Sequence, residues 1–224
     1  MQYVVFNGSP RRKASNSRVL MEQFLRGFTE VRSETWETHY LADVDRKKEH
    51  ISAFSNARHV LVIFPLYTDS MPGIVKYFFE SLINQSFDAD KTLGFIVQSG
   101  FPESIHTLYV SRYLEKFTER LGCLYLGTIM KGGVEGIQIR PPAMNKRLFK
   151  RFSDLGSYYA RHHAFNPVLA RKLRKPHRLN RFRRRILMIF DWMGLANLYW
   201  NRKLREHKAY PQRFAKPYKK TETG

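Results

Sequence analysis

The stretch from Gly8 to Ser17 concentrates side chains that bind oxyanions, and it lies between an apolar run and a helical pattern. The N-terminus of a helix presents unbonded N–H groups and a partial positive charge to an anion. Serine hydroxyls and an asparagine amide add donors, and the planar guanidinium of arginine matches phosphate oxygens. The stretch therefore predicts a phosphate site formed by Ser9, Arg11, Ser15, Asn16 and Ser17.

The same stretch has a second interpretation, because Ser and Asn cap helices whether or not a ligand is present. Two common nucleotide-binding motifs are missing from it. The Gly-Lys-Ser/Thr triplet of a Walker A loop does not follow, and the spacing is not G-x-G-x-x-G.

A second stretch, residues 65–73, mixes apolar bulk, one aromatic ring and a Pro-Gly pair that opens the next helix. Such a loop can lie along a flat ring and offer backbone N–H groups to its edge. The alternative is that Leu66 and Met71 cover the sheet and Tyr67 is an ordinary amphipathic surface residue. The candidate ring contacts are Pro65, Leu66, Tyr67, Thr68, Ser70 and Met71.

A third stretch, Ser99-Gly100-Phe101, also follows an apolar run. Its glycine would let the backbone approach a ligand closely. The alternative is a strand-to-helix turn, with Glu103 favourable at the start of the helix.

Strand and helix patterns alternate through the first ~140 residues, and a further helix pattern follows. Short or continuous apolar runs predict strands, and spacings of three and four predict helices. This alternation predicts an α/β fold with an open five-stranded parallel sheet in the order 2-1-3-4-5, in which the loops after strands one, three and four meet at one rim. The predicted strands are 3–6, 33–41, 59–64, 93–97 and 124–130, and the predicted helices are 19–28, 50–56, 74–82, 104–121 and 144–163.

These stretches resemble the flavodoxin-like NAD(P)H-dependent FMN reductases over residues 1 to about 135. Their phosphate loop is similar to Gly8-Ser9-Pro10-Arg11-x-x-x-Ser15-Asn16-Ser17, and their flavin-ring loop to Pro65-x-Tyr67-x-x-Ser70-Met71-Pro72-Gly73-x-x-Lys76. The third flavin loop of related members is similar to Ser99-Gly100-Phe101. The related iron–sulfur flavoproteins need a cysteine cluster, whereas this chain has only Cys123.

The resemblance implies FMN as cofactor, with its phosphate on the first stretch and its ring between the other two. It implies NADH or NADPH as hydride donor and a second acceptor for the electrons: a quinone, an azo or nitro compound, free flavin or a protein. The flavin performs this chemistry, so no catalytic acid or base is assigned.

Three other sets of residues have side chains that could carry chemistry. Cys123 lies beside a predicted strand, and we expect it in the core rather than at a redox centre. His162 and His163 have no carboxylate or cysteine at ligand spacing, which favours a surface or helix end over a metal site. Tyr109 and Tyr113 lie one helical turn apart, and we expect them to pack, although the same spacing would let them line a pocket.

The charge of the chain is strongly asymmetric. Residues 1–139 hold 16 Lys and Arg against 15 Asp and Glu, whereas residues 140–224 hold 23 against 4. We therefore divide the chain into a flavodoxin-like FMN-binding domain, 1–163, and a basic, mainly helical extension, 164–224. An arginine-rich block precedes an apolar run, residues 186–200, which we expect to form a helix too short to span a bilayer.

The extension has three candidate partners. It could pack on its own body or a second copy in a homodimer, or lie on an anionic membrane through residues 178–205. Nucleic acid fits least, because the apolar run is too continuous for a solvated stacking surface. The alternative function is a non-catalytic or partner-reduced module that docks through this tail. With no signal peptide expected at Met1 to Phe6, we expect a cytoplasmic protein, peripheral at the membrane if the tail binds lipid.

Overall fold

The computed structural model describes residues 2–194, 197–216 and 218. A five-stranded parallel sheet forms its centre, with the strand order β2-β1-β3-β4-β5. This confirms the predicted fold class and order. The outer strand is shorter than the predicted 33–41. The strands are β1 Tyr3–Asn7, β2 Glu37–Tyr40, β3 His59–Pro65, β4 Thr92–Gln98 and β5 Leu124–Lys131.

The first four helices connect successive strands, and two more follow the last strand. Ser15 caps the first helix, because its hydroxyl oxygen accepts the N–H of Arg18. The predicted helix 104–121 begins as a short 3-10 turn, Ser104–Thr107, before its α-helical part. The helices of this part of the chain are α1 Asn16–Thr29, α2 Lys47–Asn56, α3 Gly73–Glu80, α4 Leu108–Arg120, α5 Pro142–His162 and α6 Pro167–Leu173.

Two apolar cores lie on the two faces of the sheet, because successive residues of a strand point to opposite sides. On β3, Val60, Val62 and Phe64 belong to one core, whereas Leu61 and Ile63 belong to the other. Cys123 is buried in the first core, as expected, and burial raises the pKa of its thiol to about 11. His162 and His163 lie at the end of α5, as expected.

Helices α1 and α5 cross at two glycines. A Cβ on Gly27 would lie 1.9 Å from the carbonyl oxygen of Ser153, and a Cβ on Gly156 would lie 1.9 Å from that of Phe24. The Ser157 hydroxyl donates to the carbonyl of Gly27 at 2.8 Å. The backbones therefore touch here, and only glycine fits.

Residues 164–178 belong to the first of two compact units, Met1–Arg178. Pro167 begins α6, where the side chain of Asn166 caps the first turn. Phe165 fits over Gly94, where a Cβ would lie 2.8 Å from its ring. The predicted domain boundary between residues 163 and 164 stays a prediction. In the structure, residues 164–178 pack against the sheet through Phe165.

The second unit begins at Leu179 and contains α7 Arg181–Trp192 and α8 Leu198–Glu206. The expected single helix over 186–200 is therefore wrong. The first helix ends before Gly194, whose φ of +72° lies in the left-handed region that favours glycine and ends helices. Among the described residues, no helix is long and apolar enough to cross a membrane.

Candidate functional site

The loops after β1, β3 and β4 are tied together at the carboxyl ends of these strands. The N–H of Gly8 donates to the carbonyl of Ile63 at 2.8 Å, and the N–H of Leu66 donates to that of Gln98 at 2.7 Å. A Cβ on Gly8 would lie 2.3 Å from the Val75 side chain at the start of α3. The structure thus brings the three predicted stretches to one rim, as the strand order requires.

The first loop holds itself in place through its serines. Ser9 is buried, and its hydroxyl oxygen accepts the N–H of Arg11 at 3.3 Å. The Ser15 hydroxyl donates to the carbonyl of Arg12 at 2.6 Å while its oxygen caps α1. Ser15 thus serves as the helix cap, the second interpretation of this stretch, and its hydroxyl proton is already used.

Asn16 and Ser17 also bond to protein groups. The Asn16 amide donates to the carbonyl of Val134 at 3.1 Å and accepts from Gln138 at 2.7 Å. The Ser17 hydroxyl oxygen accepts from Gln98 at 3.3 Å. Both side chains are buried. Their contribution to an anion site would come from the backbone N–H groups of the first turn of α1, which have no carbonyl partner within the helix.

Cations surround this helix start. Arg11, Arg12 and Lys13 are exposed, and α1 has no acidic residue in its first turn. Arg12 pairs with Asp43 at 3.1 Å. Arg11 and Lys13 make no ion pair with any residue that the structure describes. The loop thus keeps two unpaired positive charges beside the positive end of the helix dipole.

The second loop folds into a tight turn. The N–H of Tyr67 bonds to the carbonyl of Ser70 at 2.9 Å, and the reverse bond is 3.0 Å. Thr68 and Asp69 between them have φ of +49° and +58°, a conformation that L residues, and β-branched ones above all, adopt at a cost. Strained backbone of this kind is concentrated at ligand sites. Pro65 and Leu66 are buried beneath the turn, Met71 is half-buried, and Tyr67, Thr68 and Ser70 are exposed.

A cavity of about 250 Å³ lies between this turn and α4. Its lining residues are Asp69, Ser70, Met71, Lys76, Tyr109, Val110 and Tyr113. The expectation that Tyr109 and Tyr113 pack is therefore wrong, and the alternative that they line a pocket is correct, since they are 71% and 44% exposed and line this cavity. The spacing placed them on one face correctly, but only the tertiary structure shows that the turn leaves a gap there.

The third loop lies beside the second. Ser99 is buried, and its hydroxyl donates to the carbonyl of Phe101 at 3.2 Å, while Gly100 and Phe101 are exposed. His106 joins the two loops, because its Nδ1 lies 3.1 Å from Asp69 and its ring lies 5.1 Å from that of Phe101. Sequence reasoning did not single out His106, whose partner is 37 positions away along the chain.

A fourth loop, residues 132–140 after β5, was missed as well. The N–H of Gly133 donates to the carbonyl of Phe101 at 2.7 Å, and the N–H of Val134 donates to that of Ser99 at 3.1 Å. A Cβ on Gly132 would lie 2.6 Å from the carbonyl of Phe101. Together with the Asn16–Val134 bond, this loop braces the first and third loops. Three glycines within five residues after a predicted strand were the available signal.

Lys131, the last residue of β5, adds a partly buried cation at this edge. Burial, together with nearby Arg151 and Arg140, lowers the pKa of its ammonium group. Its Nζ donates to the carbonyl of Gly132. The described residues contain no group of three or more His, Cys, Asp or Glu side chains that could hold a metal ion.

The family model described as "Flavodoxin-like fold" matches residues 1–150. This range covers all four loops and the sheet, and it ends within α5. Among curated protein sequences, none matches the chain.

Solved structures match the fold at low sequence identity. An FMN-dependent NADH-azoreductase from Bacillus anthracis, in complex with FMN, is 16% identical with a TM-score of 0.52, over 71% of this chain and 100% of that one. An NADPH-quinone reductase from P. pentosaceus is 19% identical with a TM-score of 0.50, over 69% and 96%. An NADH:FMN oxidoreductase in its apo form is 19% identical with a TM-score of 0.54, over 78% and 96%. At these identities the likeness establishes the fold.

Proposed function

The chain belongs to the family of the flavodoxin-like fold, and on that premise we propose that it is an FMN-dependent oxidoreductase. In this proposal it takes hydride from NADH or NADPH and passes electrons to a small-molecule acceptor. The three structural neighbours described above are enzymes of this kind by their descriptions, which supports the proposal.

The observation that carries the proposal is the charge and geometry of the first loop. A helix N-terminus without acidic residues, flanked by the unpaired cations Arg11 and Lys13, suits a dianionic phosphate. The backbone N–H groups of Asn16 and Ser17 would bind the phosphate oxygens, with Arg11 closing over them. Ser9 and Ser15 hold the loop in the shape that presents these groups.

The second and third loops suit the flavin ring. The buried Pro65 and Leu66 form an apolar floor, and the exposed Tyr67, Thr68, Ser70, Gly100 and Phe101 lie at the edges. FMN, when bound, supplies the capacity to accept hydride from a nicotinamide and to return electrons to an acceptor. The protein contributes binding and orientation, and Lys131 and Arg140 add positive charge at the same edge of the sheet.

We assign the cavity beside the 67–70 turn to the electron acceptor. Its volume of about 250 Å³ suits a molecule of one or two fused rings. The exposed rings of Tyr109 and Tyr113 would stack on a planar acceptor such as a quinone or an azo compound. Tyr109→Ala and Tyr113→Ala should raise KM for menadione about tenfold and leave the KM for the nicotinamide unchanged, as steady-state kinetics at saturating NADPH or NADH will measure.

The decisive test is FMN binding followed by reduction. We expect flavin fluorescence to be quenched on titration with the full chain, and the oxidised-flavin absorbance to bleach when NADPH or NADH is added without oxygen. Arg11→Ala should weaken FMN binding, whereas Arg26→Ala, an exposed arginine at the other end of α1, should not. Failure to bind FMN would overturn the proposal. Binding without bleaching by either nucleotide would leave the chain a carrier reduced by a partner and would reject the nicotinamide step.

A further inference from the structure

The second compact unit exposes an unusual number of large apolar side chains. On α7, Trp192 is 87% exposed and Met188 is 64% exposed, Ile189 is exposed as well, and so is Met193 directly after the helix. Leu198 and Trp200 are exposed on α8. Isolated apolar residues on a surface need no explanation, but a group of this size marks an interaction surface.

Cations flank this apolar group on the same helix face. Arg181, Arg185, Ile189 and Trp192 follow one another at spacings of four, four and three, and all four are exposed. Residues at these spacings lie on one face of a helix. The face is therefore cationic at its N-terminal end, where exposed Arg184 adds a further charge, and apolar at its C-terminal end.

Cations also follow the apolar group. The helix α8 carries Arg202, Lys203 and Arg205, of which the first two pair with Glu206 and the third lies over the ring of Tyr210. Over residues 179–224 the sequence holds 12 Lys and Arg against 3 Asp and Glu. An apolar segment thus stands between two clusters of positive charge.

We propose that α7 and α8 form a docking surface for an anionic lipid membrane. Arg181, Arg184 and Arg185 lie at the phosphate headgroups, while Met188, Ile189, Trp192 and Met193 enter the upper acyl region. Tryptophan prefers the boundary between headgroup and acyl chain. The helix α7 has 12 residues, so it lies in the interface and does not cross the bilayer.

Charge complementarity favours a lipid surface over a second copy of the chain or nucleic acid as the partner. A second copy would bring the same surplus of cations to the interface, 12 Lys and Arg against 3 Asp and Glu over residues 179–224. Nucleic acid would satisfy the arginines but would leave Met188, Ile189 and Met193 without an apolar partner. An anionic bilayer offers phosphate groups to the arginines and acyl chains to the apolar side chains of the same helix face.

The test is sedimentation of the full chain with phosphatidylcholine vesicles that contain or lack phosphatidylglycerol. We expect binding to the anionic vesicles that weakens with salt. Because each cation contributes about 1 kcal/mol at such a surface, reversal of Arg181, Arg184 and Arg185 to Glu should weaken binding by at least about 100-fold. Reversal of the exposed Lys48, Arg120 and Lys146 in the first unit is the matched control and should change it much less.

A second measurement uses the unaltered chain and so does not depend on the folding of a variant. Trp192 and Trp200 are exposed, whereas Trp36 is buried in the core. Lipids brominated on the acyl chain should quench part of the tryptophan emission, and Trp192→Phe should reduce that quenching.

The proposal would be overturned by equal binding to neutral and anionic vesicles, or by no binding to either. It would also be overturned by vesicle-independent dimers that dissociate when Trp192 and Met188 become Ser, or by tight binding to duplex DNA without binding to vesicles. None of these outcomes depends on FMN, so they test the surface independently of the proposed enzyme activity.

Discussion

At the scale of single residues, the first loop separates side chains that bind a ligand from those that hold the loop. Ser15 and Asn16 use their polar atoms on Arg12, Arg18, Val134 and Gln138, and both are buried. Arg11 is exposed and makes no ion pair with a described residue. Residue types alone could not separate these roles, because the same Ser and Asn side chains can bind either phosphate or backbone.

This separation predicts that one substitution changes stability and another changes FMN binding. Ser15→Ala should lower the free energy of unfolding by about 1 kcal/mol, because it removes a helix cap. Arg11→Ala should leave stability unchanged and raise the Kd for FMN about tenfold, because it removes one charged contact. Urea unfolding and flavin fluorescence will measure the two quantities, with Ser33→Ala as the control serine. Equal losses in both quantities for both variants would contradict the separation.

A second prediction at this scale concerns acid. His59 is buried on β3, its Nδ1 lies 2.8 Å from the Thr92 hydroxyl, and its ring stacks on His163 at 4.6 Å. Burial, with the neighbouring His163, Arg58 and Arg32, lowers the pKa of His59 to about 4. Between that value and its ordinary pKa near 6.5, the unfolded chain binds a proton that the folded chain does not, so stability falls as the pH falls.

We expect a loss of about 2 kcal/mol from this residue between pH 7 and pH 5. Urea midpoints at the two pH values will measure it. His59→Gln should reduce the difference between them, whereas His162→Gln, at an exposed position, should leave it unchanged. An unchanged pH dependence in His59→Gln would show that other groups cause the acid loss.

At the scale of elements, α1 and α5 cross closely near the C-terminal end of α1. Gly27 and Gly156 let the two backbones touch. Gly27→Ala or Gly156→Ala should therefore lower the free energy of unfolding by about 3 kcal/mol, since the new Cβ would meet backbone that cannot yield locally.

Gly73→Ala is the matched control for these two variants. A Cβ at Gly73 meets no atom within 4 Å, so we expect no loss of stability there. Thermal or urea unfolding of the three variants will show whether the loss of stability is larger at Gly27 and Gly156 than at Gly73. A loss at Gly73 as large as the loss at Gly27 would mean that the contact between the helices does not cause the effect, because the lower backbone entropy of alanine favours the folded state.

The elements also show how far sequence patterns reach. Five strands and the first five helices follow from apolar runs and from spacings of three and four, because each element buries a face whose period is visible in the sequence. The break at Gly194 was missed, since an apolar run has the same composition whether it forms one helix or two. The fourth loop was missed because its bonds to Ser99 and Phe101 join residues more than 30 positions apart.

At the scale of the whole molecule, the chain divides into a unit with two cores and a cationic unit beyond residue 178. We predict that residues 1–178 alone fold and bind FMN as the full chain does, because both cores and all four loops lie within them. The same fragment should lose binding to anionic vesicles. Circular dichroism, flavin titration and vesicle sedimentation will test these statements, and loss of FMN binding by a folded fragment would contradict the division.

A functional consequence follows if both proposals hold. A quinone dissolved in anionic vesicles should be reduced faster by the full chain than by the variant with Glu at 181, 184 and 185, because docking concentrates the enzyme at the lipid. Soluble menadione should be reduced at the same rate by both. Equal rates of reduction of the vesicle-borne quinone would show that docking on the membrane does not help the enzyme to reach its substrate.

The sequence by itself determined the α/β class, the strand order, the family and the charge asymmetry. Each of these depends on local periodicity, on short motifs or on composition, and all three can be recognised in the sequence without knowledge of the fold. Only the tertiary structure decided which serines hold the first loop, that Tyr109 and Tyr113 line a cavity, that residues 164–178 pack on the sheet and that α7 exposes its apolar end. These features depend on contacts between residues that are distant in the sequence. Such contacts form only when the helices and the sheet pack together, so no local pattern reveals them.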